Sequence, residues 1–82
     1  MPEIYVKVRP ETEFEIEMKT YPVIGLENEP EHGKANSELL NRLEKITGVR
    51  PAIVLGHKSR RKKLKIDMDK QEFKERLENF DG

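Results

Sequence analysis

The apolar residues of this chain change their spacing twice, from every second residue to the spacing of one helix face. Residues 4–8 and 14–18 alternate apolar and polar side chains, which is typical of half-buried strands. The stretch 35–47 then carries apolar residues at helical intervals, namely Leu39, Leu40, Leu43 and Ile46. The same succession repeats, with strands at 52–55 and 64–68 before a helix that presents Phe73, Leu77 and Phe80. The pattern predicts the element order β-β-α-β-β-α.

This order predicts an α+β fold in which a four-stranded sheet is covered on one face by two helices. The short link Pro10-Glu11-Thr12 predicts a hairpin of the first two strands, with the glutamates of the second lying between two basic strands. Residues 20–33 contain two prolines and two glycines and are predicted to be loop; their apolar residues either cover a core edge or add one short strand. The expected core is Val6, Val8, Phe14, Ile16, Leu39, Leu43, Ile46, Leu64, Ile66, Phe73, Leu77 and Phe80.

The helix ends carry recognisable signals. Asn36 is the predicted N-cap of the first helix, with Ser37 as the alternative, and Gly48 is the residue expected just beyond its last turn. Asp69 followed by Glu72 resembles a capping box at the start of the second helix.

Composition excludes several classes of protein. The 82 residues predict one domain, 1–82, and the absence of cysteine excludes disulfides and thiolate metal sites. No stretch approaches the roughly 20 apolar residues of a membrane span, and the N-terminus lacks the features of a secretory signal, so we expect a cytoplasmic protein that binds no membrane. Abundant Glu, Lys and Arg with a single Gln resemble proteins from hot environments.

A net charge of zero conceals a basic centre. Residues 32–66 contain ten Lys and Arg against two acids, and six of the eight residues 58–65 are basic. Such a cluster favours contact with a polyanion, whereas its alternative is a solvated hairpin whose lysines pair with strand glutamates. No aromatic residue is interspersed in the cluster, so the sequence predicts no stacking platform there.

The first helix and this basic turn are predicted to meet. Only residues 48–51 link the helix to the third strand, so the two elements run antiparallel and the helix start lies beside the turn that follows the strand. We expect the backbone amides of residues 33–36 to face this turn. The predicted anion-binding or nucleic-acid-binding residues are therefore Gly33, Lys34, Asn36, Lys58, Ser59, Arg60 and Arg61. A structural alternative, which we favour for three of them, has Gly33 in a tight turn, Asn36 as a cap and Ser59 bonded to turn backbone.

Two stretches carry a family resemblance. Pro30-Glu31-His32-Gly33-Lys34-Ala35-Asn36 leads into the first helix, and Gly56-His57-Lys58-Ser59-Arg60-Arg61-Lys62 forms the basic turn. Together with the opening strand Val6-Lys7-Val8-Arg9-Pro10 they resemble the YggU-like family of uncharacterised proteins over nearly the whole chain. The resemblance implies a two-layer sandwich with a mixed four-stranded sheet in the order 1-2-4-3. It implies no particular activity.

Catalytic and metal-binding patterns are weak. His32 and His57 are expected at the same end of the fold near Glu29 and Glu31, but their spacing matches no metal-binding motif. His57 is the one candidate base near Ser59, and no acid is placed to orient it. We therefore predict no catalytic residue, no metal site and no cofactor.

Three hypotheses follow for function. The first is a non-catalytic, monomeric module that binds RNA or another nucleic acid through the basic turn 57–62 and the helix start 33–36. The alternative is a protein–protein adaptor, with an unidentified partner, that uses the acidic loop 27–31 or the exposed sheet face. A small hydrolase is the third. A concave pocket at the turn would favour the hydrolase, and a convex basic projection would favour the binding module.

Overall fold

The computed structural model describes residues 1–80 of the chain. Its elements are β1 (Glu3–Arg9), β2 (Glu15–Met18), β3 (Pro22–Gly25), α1 (Lys34–Thr47), β4 (Ala52–Leu55), β5 (Arg61–Lys65) and α2 (Lys70–Glu78). One turn of 3-10 helix at Glu31–Gly33 leads into α1. Within residues 1–80, no helix has both the length and the apolar character needed to cross a bilayer.

The strands form one mixed sheet in the order β2-β3-β1-β5-β4. Only the pair β1 and β3 is parallel among the described strands. The α+β class is therefore confirmed, but the four-stranded sheet in the order 1-2-4-3 is wrong. The short extra strand left open by the sequence is β3, and it separates the two strands expected to form a hairpin.

The different character of β2 and β3 explains this order. All four residues of β3 are buried, including Val23 and Ile24, which suits a strand with neighbours on both sides. In β2 the outward positions are Glu15 and Glu17, and charged side chains are typical of an edge strand. The sheet therefore places the glutamates at its rim rather than between two basic strands.

As a result, β1 and β5 lie side by side, and one pair of bases is directly opposed, Lys7 with Arg61. Tyr5 stands opposite Lys63, and Glu3 stands opposite Lys65. Some charge pairing remains, because Arg9 reaches across β3 to Glu17 at 3.1 Å and Lys63 contacts Glu3 at 2.9 Å. The predicted ladder of alternating acidic and basic strands is nevertheless wrong.

Both helices cover one face of the sheet and enclose the core. Eight of the predicted core residues are buried, namely Val6, Val8, Leu39, Leu43, Leu64, Ile66, Phe73 and Leu77. The other four are only half-buried, namely Phe14, Ile16, Ile46 and Phe80. Phe14 and Phe80 pack edge to face with their ring centres 5.6 Å apart, beside the edge strand β2, where fewer neighbours cover them.

The predicted N-cap of the first helix is wrong, whereas the other predicted helix ends are found. α1 begins at Lys34 after Gly33, whose φ of +71° places it in the left-handed region, and no side chain caps it. Asn36 as N-cap is therefore wrong, as is Ser37. Gly48 ends α1 with a φ of +81°, as expected. Asp69 caps α2 by accepting bonds from the amides of Gln71 and Glu72.

Candidate functional site: the cleft between the helix start and the basic turn

The start of α1 and the turn between β4 and β5 enclose a cleft of about 810 Å³. Its walls include residues of both segments, and Val8 and Pro10 at the end of β1 also line it. The predicted meeting of Asn36 and Ser59 at one end of the molecule is thus confirmed. We call this feature the cleft.

Asn36 ties the two walls together. It is the third residue of α1, and its side-chain Nδ2 donates a hydrogen bond of 3.0 Å to the His57 carbonyl in the turn. The side chain at position 36 must donate a proton to make this bond. A side chain that only accepts, such as a carboxylate, would place its oxygen against the carbonyl oxygen of His57.

This geometry predicts the effect of Asn36→Asp, which keeps the shape of the side chain and removes the donor. Aspartate favours the first turn of a helix, by about 0.3–1 kcal/mol, but here it would face the His57 carbonyl. We expect a net loss of about 1 kcal/mol in the free energy of unfolding, measured in urea. Ser37→Asp, one position along the same turn, is the control and should be neutral or stabilising. A stabilising Asn36→Asp would contradict the bond to His57.

Lys62 lies in the predicted basic turn 57–62 but was not among the seven predicted site residues. It stands opposite Val6 on the helix side of β5, is only 4% exposed, and lines the cleft. Its Nζ donates to the carbonyls of Gly56 at 2.9 Å and His57 at 3.2 Å. Burial lowers the pKa of this ammonium group below its usual 10.5. Two bonds leave the third proton of the ammonium group for another acceptor.

The turn itself is built around Gly56 and Ser59. Gly56 has a φ of +81°, and a Cβ at this position would collide with the Arg61 carbonyl. The amide of Ser59 donates to the Gly56 carbonyl at 3.0 Å, and the hydroxyl of Ser59 accepts from the Arg61 amide at 3.1 Å. The structural role predicted for Ser59 is therefore confirmed, and the turn is held in one shape.

The structure brings five of the seven predicted site residues together and separates two. Lining the cleft are Gly33, Asn36, Lys58, Ser59 and Arg60. Lys34 does not line it, and its ammonium group lies 3.3 Å from the Glu29 carboxylate. Arg61 belongs to β5 rather than to the turn, and its position opposite Lys7 places it on the other face of the sheet.

The amides at the helix start are also partly used. The Lys34 amide donates to the Glu31 carbonyl, and the Ala35 amide donates to the Glu29 carbonyl at 3.1 Å. The prediction that amides 33–36 face the turn as a group therefore does not hold for these two. Side chains rather than helix amides supply most of the positive character of the cleft.

Most of the ionisable side chains that line the cleft are basic. Lys58, Arg60 and Lys62 line the cleft together with His32 and His57, whereas Glu31 is the one carboxylate among its described lining residues. Within residues 1–80, no group of three or more histidine, cysteine, aspartate or glutamate residues is arranged to hold a metal ion. The excess of cations over carboxylates favours an anionic ligand.

The cleft is concave, which is the shape that favours the hydrolase among the three hypotheses. Its chemistry supports that hypothesis less. The Ser59 hydroxyl accepts a backbone bond, and no hydrogen bond among the described residues joins His57 to a carboxylate.

Glu38 fixes the loop that leads to the cleft. Its carboxylate accepts bonds from the amides of Glu27 and Asn28, at 3.0 and 2.8 Å, and from the Asn28 side chain. Arg42 adds an ion pair of 2.7 Å. Burial alone would raise the pKa of Glu38, but these donors outweigh it and hold the pKa at about 2. The acidic loop is thus anchored to α1 just before Pro30 enters the cleft wall.

Comparison with known proteins identifies no relative. No family model matches the chain, no curated protein matches it, and no solved structure matches its fold. The resemblance to the YggU-like family stays a prediction based on the motifs at 30–36 and 56–62.

Proposed function

We propose that this protein is a non-catalytic cytoplasmic module that binds RNA or another nucleic acid by its phosphate backbone, in the cleft. The observation that carries the proposal is the excess of cations there: Lys58, Arg60 and Lys62 against Glu31. Lys62 reaches the cleft with its ammonium group only partly satisfied, and Ser59 can still donate its hydroxyl proton. Phosphate oxygens accept such bonds.

The alternative of an adaptor that uses the acidic loop 27–31 has less support. Glu27 pairs with Arg42 at 2.7 Å, and Glu29 pairs with Lys34. Two of the three glutamates in the loop therefore already face cations of their own chain, which leaves little charge for a basic partner.

Salt dependence tests the proposal. Neutralising one phosphate contact reduces the slope of log K against log salt by about 0.7–0.9. The double variant Lys58→Gln with Arg60→Gln should therefore bind a 12-nucleotide RNA with a slope smaller by about 1.4–1.8. Lys58→Glu with Arg60→Glu should weaken binding further, by about a hundredfold or more at low salt. Both residues are exposed, so the fold should persist.

The matched control is Lys45→Glu with Arg50→Glu, which changes net charge equally at the other end of α1. We expect its binding to follow the wild type closely. Equal losses in the two charge reversals would mean that net charge, not the cleft, governs affinity. Undetectable binding by the wild type would reject the nucleic-acid proposal. If the wild type cleaves the RNA and Ser59→Ala does not, the hydrolase hypothesis replaces that of the binding module.

A further inference from the structure

The sheet face that the helices leave uncovered, here called the open face, carries both tyrosines of the chain. Tyr5 on β1 is 55% exposed. Tyr21 directly precedes β3, and both rings line one hollow of about 400 Å³ together with Leu55, Arg61 and Lys63. No aromatic residue lies within the basic cluster in the sequence, but the fold brings both tyrosines next to Arg61 and Lys63.

A β-bulge adds Leu55 to this face. Ile53 pairs with Leu64 on the helix side, and strict alternation would turn Leu55 to the same side. The register shifts at Val54, so that Leu55 stands opposite Lys63 instead and is 58% exposed. A large apolar side chain in this position has no role in the core, since the core lies on the other face.

The register arranges the open face in rows across the strands. Tyr5, Lys63 and Leu55 form one row, with the Lys63 ammonium group 5.6 Å from the centre of the Tyr5 ring. Lys7 and Arg61 form the next row, and Glu3 and Lys65 form the row on the other side of the tyrosine row. Each neighbouring row therefore contains at least one cation.

Two of these cations, Lys7 and Arg61, have no acidic residue directly opposite them. Lys65 stands opposite Glu3, whose carboxylate contacts Lys63 at 2.9 Å. Lys7, Arg61 and Lys65 form no ion pair with a carboxylate of residues 1–80. Like charges directly opposite each other on neighbouring strands are destabilising, as Lys7 and Arg61 are. An anionic ligand that spans the rows would reduce this repulsion between like charges.

We propose that the open face binds single-stranded nucleic acid, with bases stacked on Tyr5 and Tyr21 and phosphates held by Lys7, Arg61 and Lys65. Flat rings suit the faces of unpaired bases, and the flanking cations suit the backbone that joins them. Duplex bases are already stacked on each other and do not reach the tyrosines. The inference takes the class of polymer from the proposed function but rests on different residues, on the opposite side of the sheet from the cleft.

Intrinsic fluorescence tests this directly, because the chain has two tyrosines and no tryptophan. We would titrate the protein with 12-nucleotide oligo(U), oligo(dT) and a 12-base-pair duplex at low salt. Oligo(U) and oligo(dT) should quench tyrosine emission as they bind, and comparison of these two arms shows whether RNA or DNA is preferred. The duplex should quench little.

Tyr5→Leu should weaken single-strand binding by about 5- to 150-fold, the range for losing one stacked base. Tyr5→Phe is the matched control, since it keeps the ring and should stay close to the wild type. Tyr5 is more than half exposed, so both variants should fold, which thermal unfolding would verify.

Equal affinity of Tyr5→Leu and Tyr5→Phe, or binding without quenching, would overturn the inference. So would a dimeric wild type that Tyr5→Leu converts to a monomer, because a second copy would then cover this face. If only the cleft variants lose affinity, the proposed function stands and this inference fails. If only the tyrosine variant loses affinity, the cleft is the wrong surface and the open face stands.

Discussion

Leu43→Ala should cost about 2–5 kcal/mol of the free energy of unfolding. Leu43 is 1% exposed and lies in the single cluster that joins both helices to the sheet. Truncating it removes apolar contacts and leaves a cavity, because a close-packed interior collapses only partly. A small domain has about 5–15 kcal/mol of stability in total, so the loss is a large share.

In a thermal scan, 1 kcal/mol corresponds to about 4–8 °C for a domain of this size, so Tm should fall by at least about 8 °C. Leu40→Ala is the matched control, since it makes the same substitution at a half-buried position of α1. We expect less than half the effect there. A Leu43 variant within 1 kcal/mol of the wild type would contradict the packing of α1 on the sheet.

Alternation of side chains determined which face of each strand is buried, but it did not determine which strands are neighbours. Val6, Val8 and Leu64 could be assigned to the core from their spacing alone. The position of β3 could not, because a strand buried on both faces shows no alternation, and residues 22–26 read as an apolar stretch within a loop.

The same limit explains the errors at the site. Lys62 lies two residues before Leu64, so the two side chains are on the same face of the strand. A predicted strand that began at Arg61 would therefore have placed Lys62 on the helix side and Arg61 on the other face. The meeting of Asn36 with the turn was predictable, because it depends only on the short link at 48–51. The pairing of β1 with β5, which gathers the cations of the open face, depends on contacts distant in sequence.

Glu38→Gln should destabilise the protein by about 3 kcal/mol at pH 7, and the loss should depend on pH. The carboxylate is 8% exposed and accepts bonds from Glu27, Asn28 and Arg42. Its pKa falls from the usual 4.5 to about 2 in the folded state. Each pKa unit corresponds to about 1.4 kcal/mol, which gives the expected size of the effect. Glutamine keeps the shape and one acceptor but loses the charge.

The sign follows from the lowered pKa. Above pH 4.5 the ionised carboxylate contributes its full stabilisation, and this is lost as the pH falls from 4.5 towards 2, where the folded state also takes up the proton. Urea unfolding should therefore show wild type and Glu38→Gln far apart at pH 7 and converging near pH 2. The control is Glu44→Gln, at an exposed position of the same helix, with an expected effect below about 1 kcal/mol. A difference that stays constant with pH would mean that Glu38 acts by packing alone.

The loop that Glu38 holds continues into the cleft wall. Hydrogen exchange at the Asn28 amide should therefore become faster in Glu38→Gln than in the wild type, before the rest of the fold opens.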